Sequence, residues 1–155
     1  MMEPRLTIEL VPSTSWFTNV RSLVPPETWD RLRKATARAA GHRCEICGER
    51  GPKWPVECHE RWAYDETTRV QRLTGLIALC PNCHRVKHFG LARVNGEQEQ
   101  AGQWLMHVNG WTRRQAHAYV QAAFAEWERR SAGPWEVDIR WLRQVDPEAF
   151  ANRDR

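Results

Sequence analysis

The stretch Leu79–Gly90, LCPNCHRVKHFG, places two cysteines and two histidines within nine positions. Cys80 and Cys83 have the spacing of one half of a tetrahedral zinc site. His84 and His88 are four apart, so on a helix they point the same way. Cys83 and His84 are neighbours, about 100° apart around a helix, and face different directions. One short helix can therefore serve two sites, with sulfur to one side and imidazoles to the other.

The other half of the zinc site lies upstream in CEIC, where Cys44 and Cys47 repeat the spacing and Gly48 follows. A glycine there lets backbone amides turn toward the sulfurs. Two such pairs predict a structural zinc on which folding depends. Between them stands ECHE, Glu57-Cys58-His59-Glu60, flanked by Trp54 and Trp62. Four of the five cysteines fall in the two pairs, which fits metal binding in a reducing cytoplasm better than a disulfide framework.

At 155 residues the chain predicts one domain, with arms at 1–40 and 91–155 around a 41–90 core. A formal charge of +4 and a pI near 9.0 are compatible with a polyanionic partner without demanding one. No basic-then-apolar leader and no apolar run near 18 residues is found, so neither a signal peptide nor a membrane span is expected. Nine tryptophans point to many core or interface anchors.

In chain order, residues 6–11 alternate enough for a short strand. Glu27–Ala40 reads as a helix, its apolar face formed by Trp29, Leu32, Ala35 or Thr36, and Ala39. Arg31, Lys34 and Arg38 recur on another face, which reads either as a solvated surface or as a phosphate-contacting stripe. Gly51–Pro55 is turn-like. Val56–Tyr64 and Thr68–Leu73 predict a hairpin, with Thr74 and Gly75 breaking the second strand. A helix over 82–89 should stop at Gly90, with a loop to Gly96. Two more helices follow over 97–108 and from Thr112, the N-cap of the second. Its apolar stripe runs through Ala116, Tyr119, Val120, Ala123, Phe124 and Trp127. His107 and His117 read as residues edging these helices. Trp135, Val137, Ile139 and Trp141 alternate as a strand that could pair with the N-terminal one. A turn or short helix at 147–150 and a frayed end complete the reading.

Taken together, CEIC, ECHE, the hairpin and LCPNCHRVKH resemble the HNH endonuclease family in its zinc-stapled form, over about a third of the chain. The resemblance implies an α+β fold: a ββα-metal (His-Me finger) motif on a treble-clef-like zinc centre, with flanking helices and a small terminal sheet. It implies a metal-dependent nuclease that hydrolyses DNA phosphodiester bonds. His59 matches the family's general base, which takes a proton from the attacking water. His84 and His88 match ligands of one divalent cation, Mg²⁺, Mn²⁺, Ni²⁺ or Zn²⁺, that stabilises the leaving oxygen. Arg61 and Arg85 are further candidates for phosphate contact, beside the structural Zn²⁺ held by the four cysteines.

Two positions depart from the family pattern. Cys58 stands where the residue before the base is an Asp or His ligand. It is a candidate soft ligand, a mute buried thiol or a spare thiol near the zinc, with Glu57 or Glu60 as the alternative carboxylate. Gly75 stands where the family has the asparagine that braces the loop orienting the base. The alternative reading is a decayed zinc-stapled module that binds nucleic acid or protein without cleaving.

Overall fold

The computed structural model describes residues 3–50 and 56–150. The expected turn at 51–55, with Trp54, and the frayed end at 151–155 lie outside them. The elements run α1 (Val20–Leu23), α2 (Pro26–Ala39), β1 (Glu57–Asp65), β2 (Val70–Leu79), α3 (Pro81–Lys87), α4 (Phe89–Val94), α5 (Gln98–Asn109), α6 (Arg113–Arg130), β3 (Glu136–Asp138) and α7 (Leu142–Val145), then a 3₁₀ turn at Pro147–Phe150. The fold is mixed α+β, built on a three-stranded sheet ordered β1-β2-β3.

The hairpin is longer than the sequence suggests. β2 does not break at Thr74 and Gly75 but continues to Leu79, with Glu57 opposite Leu79 and His59 opposite Ile77. The register shifts between Arg61, which faces Gly75, and Trp62, which faces Leu73, so Thr74 is the extra residue of a β-bulge. Its hydroxyl donates to the Arg61 carbonyl at 3.2 Å, which ties the bulge down. A polar residue and a glycine that look like a strand end are accommodated as a kink within one.

β3 pairs in parallel with β2, Val70 opposite Glu136, and not with the N-terminal segment. It is also shorter than the alternation of 135–141 suggests, because the chain turns at Ile139 into α7. Residues 6–11 form no strand and join no sheet among the described residues. Side chains satisfy their backbone instead. Asn109 exchanges two 2.9 Å hydrogen bonds with Leu6, the Tyr119 hydroxyl accepts from Ile8 N–H at 3.1 Å, and the Trp127 indole donates to Val11 C=O at 3.0 Å. One backbone bond runs from Glu9 N–H to Lys87 C=O, at 3.1 Å.

Most helices fall where the sequence puts them. α2 begins with Pro26 in its first turn, and Gly41 beyond its end has φ +65°. Its buried residues are Thr28 and Leu32, while Ala35 and Ala39 face solvent, so the inward stripe is rotated from the expected one. α6 opens with a capping box in which Thr112 and Gln115 satisfy each other's backbone N–H. Gly90 does not end the helical region. It lies inside α4, where the Leu10 side chain packs 3.6 Å from the place a β-carbon would take. The stop comes instead at Gly96, with φ +74°.

Two buried clusters result, and both draw on β2. One holds Ile77, Ala78 and Leu79 with Val86, Phe89, Leu105 and the knuckle cysteines. The other gathers Leu73 with Val20, Leu32, Ile139 and Leu142. Between the arm and the sheet, Ser15 donates 2.7 Å to the side-chain carbonyl of Gln71, which is fully buried. Ser15→Ala would strand that acceptor and should cost about 1–3 kcal/mol in urea unfolding, with zinc content unchanged.

Candidate functional site

The four-sulfur cluster. Cys44, Cys47, Cys80 and Cys83 bring their sulfurs within 4.8 Å of one another, and Cys47 Sγ lies 3.6 Å from Cys80 Sγ. A tetrahedral zinc with bonds of about 2.3 Å separates its sulfurs by about 3.8 Å, so the donors fit such an ion. Each knuckle turns a backbone amide onto its first sulfur: Cys47 N–H to Cys44 at 3.5 Å and Cys83 N–H to Cys80 at 3.4 Å. Gly48, at φ +79°, supplies the turn of the first knuckle. Crowding divides the thiols. Hydrogen bonds from Cys80 and Cys83 hold Cys44 far below the ordinary thiol range, and the same interactions push Cys80 and Cys83 up. A dication relieves this competition by taking all four as thiolates. The Trp104 indole donates to Cys83 Sγ at 3.2 Å, from α5. The first knuckle is also sewn to β2, because Glu45 N–H donates to Ala78 C=O and the Glu45 carboxylate accepts from Ala78 N–H.

The histidine cluster. β1 delivers His59, and the end of α3 delivers His84 and His88. One ring nitrogen from each lies within 4.8 Å of the others. His84 Nε2 and His88 Nε2 face each other across 3.0 Å. Glu57 hydrogen-bonds His84 Nδ1 and is itself held below the usual carboxylate range, first by that bond. A carboxylate on Nδ1 fixes the tautomer and leaves Nε2 with its lone pair for a metal, the arrangement metal-binding histidines use. Burial, then the neighbouring His84 and His59, lowers His88 to about 3, so it is neutral and able to ligate at physiological pH. The α3–α4 junction turns at His88 itself, whose backbone (φ −97°, ψ 50°) leaves the helical region and aims its ring at His84.

Glu9 is the member that no motif announces. Its carboxylate lies 2.5 Å from His59 Nε2 and 3.4 Å from Lys87 Nζ, and Lys87 donates to Thr7 at 2.6 Å. Burial works to raise Glu9, but its bonds to His59 and Lys87 outweigh it and the carboxyl stays below its ordinary value. His59 is only 5% exposed, and burial lowers it against the pull of Glu9. The sole hint in the sequence is an acidic residue within an otherwise apolar extended run.

The remaining candidates divide. Cys58 takes no part in either cluster. It lies on the other face of β1 against α2, with Thr36 as hydrogen-bond partner, and burial pushes its thiol up to about 11. Glu60 is on that face too, where burial raises it to about 7 while it accepts from Val20 N–H at 3.1 Å. Arg61 is exposed and follows Glu57 and His59 at alternate positions of β1. Arg85 is occupied by Glu97 at 3.3 Å and Asn82 at 3.2 Å, and Arg31 by Asp146 at 2.9 Å. Lys34 and Arg38 are exposed on α2. His107 and His117 join no metal-binding group among the described residues. No helix among those residues is long and apolar enough to cross a membrane.

No family model, curated protein or solved structure matches the chain. The four-cysteine cluster stands on its own geometry as a structural metal site of zinc-like chemistry. Stripping the metal with a strong chelator should abolish the cooperative thermal transition. Trp104→Phe keeps an aromatic ring and removes the N–H, and should weaken zinc binding about tenfold in a chelator competition.

Proposed function

We propose that the chain is a zinc-stapled HNH endonuclease whose β1, β2 and α3 form the ββα-metal motif. The observation that carries this reading is the pairing of a buried, carboxylate-braced histidine on the hairpin with two converging imidazoles on the helix that follows it. The zinc-like clasp beside them, shared through α3, supports it, and so does the mild positive charge.

Under this reading Glu9 resolves the missing asparagine. Gly75 has no side chain with which to orient the base. Glu9 accepts from His59 Nε2–H instead, which leaves Nδ1 with the lone pair that takes a proton from water. Glu9 also stabilises the imidazolium that forms, while Lys87 keeps the carboxylate charged and in place. His84 and His88 would hold the divalent cation, and Glu57 keeps His84 in the tautomer that does so. When bound, that cation supplies a Lewis acid for the phosphate and for the departing oxygen. Arg61, Lys34 and Arg38 are exposed and could meet DNA phosphates.

The test uses one preparation assayed for zinc and for nicking of supercoiled plasmid with Mg²⁺, Mn²⁺, Ni²⁺ or Zn²⁺. His59→Ala should lower the nicking rate by about 10²–10⁴-fold. Glu9→Gln should lower it about 10–100-fold with zinc content intact. Wild-type protein that binds DNA and nicks nothing with any cation would return the chain to a binding module.

A further inference from the structure

A cavity of about 850 Å³ opens beside the histidine cluster, and the nuclease reading leaves most of it unused. His59, His84 and His88 line one part of it. The rest lies by the edge of β1 that carries no partner strand among the described residues, where Trp29, Trp62, Tyr64 and Trp127 line it and Glu60 joins them. The volume is that of a small-molecule site, not of a packing defect. Its rim is unusually apolar for a surface: Trp16 is 55% and Val94 81% exposed, and both line the opening.

Glu60 is held there in a fixed pose. One oxygen accepts from Val20 N–H at 3.1 Å, and Trp62 lies close enough to lower its pKa against burial. Burial raises Glu60 to about 7, and an approaching N–H favours its ionised form, which offers about four acceptor positions, so capacity remains for a ligand's N–H. Arg130 covers one face of Tyr64 at 4.2 Å, so the site offers the indoles of Trp29, Trp62 and Trp127 and one carboxyl group, adjoining the place where a phosphate would be cut. Aromatic faces stack on any base, and a carboxylate selects bases that carry an exocyclic amine, cytosine above all.

We infer that this cavity receives an unstacked nucleobase of the DNA strand held at the histidine cluster, with Glu60 favouring an amino-bearing base such as cytosine. This rests on the nuclease reading for the position of the strand. It adds a recognition site on the opposite face of β1 from the reacting groups. A duplex must open locally to fill it, so single-stranded or distorted DNA is the preferred substrate.

The test measures binding of zinc-loaded full-length protein by fluorescence anisotropy, with no further divalent cation added so that strands stay intact. The probes are short oligo-dC, oligo-dT and a strand of the same length made of abasic spacers. Tryptophan fluorescence is followed in parallel, and plasmid nicking is assayed separately. The expected order is dC above dT above abasic, with about tenfold between dC and abasic and quenching only by strands that carry bases. Glu60→Gln should shrink the dC preference over dT while abasic binding is unchanged. Equal binding of dC and abasic strands, or no binding of any strand, overturns the pocket. If plasmid nicking survives in that case, the nuclease reading stands without it. A dC preference without nicking keeps the pocket and removes the nuclease.

Discussion

Closure of four sulfurs around one point is the constraint on which the rest of the molecule depends. It joins the knuckle after α2 to the junction of β2 and α3, which the Glu45–Ala78 hydrogen bonds also tie. The amides turned onto sulfur, the Glu45 clasp on Ala78 and the Trp104 indole all serve that junction. Once it is set, the start of α3 is fixed in direction. The helix then carries His84 and His88 to a single place beside the first strand. A small chain with a modest apolar core gains from this more than a large one would, because a bound ion replaces burial it does not have.

The second organising feature is a relay of charge. Lys87 is buried on α3, one helical turn beyond Cys83 and between the two imidazoles, and it faces the arm. There it holds Thr7 and Glu9, and Glu9 holds His59. A buried lysine is costly unless paired, and its pairing here puts the carboxylate against the histidine. Charge satisfaction and the geometry of the site are the same set of contacts.

Much of this was legible in the sequence, and the reasons differ from part to part. Cysteine spacing, the His84–His88 interval and the Thr112 cap each depend on residues near one another in the chain. Those readings match the structure because local geometry decides them. Thr74 and Gly75 misled because a bulge uses the same residues as a strand end, and only the partner strand tells them apart. Gly90 misled because a glycine can serve close packing as well as a helix stop. β3 and the arm could pair as far as the sequence goes, because both show a strand-like alternation, yet pairing depends on which edge is open. Glu9 was invisible for the same cause: its role is assigned by Lys87 and His59, far away in sequence.

The side-chain stitching of the arm has a consequence for the order in which the molecule is made. Asn109, Tyr119 and Trp127 secure residues 6–11, and all three are synthesised about a hundred positions after them. The hairpin, the sulfur clasp and α3 can form on the ribosome while α6 is still inside it. Lys87 and His59 can already meet Glu9, but the backbone on either side of it lacks the helical side chains that fix it in place. The cluster is completed only when the last long helix emerges and pins the first segment down, so a truncated chain carries every motif histidine and still lacks the finished centre.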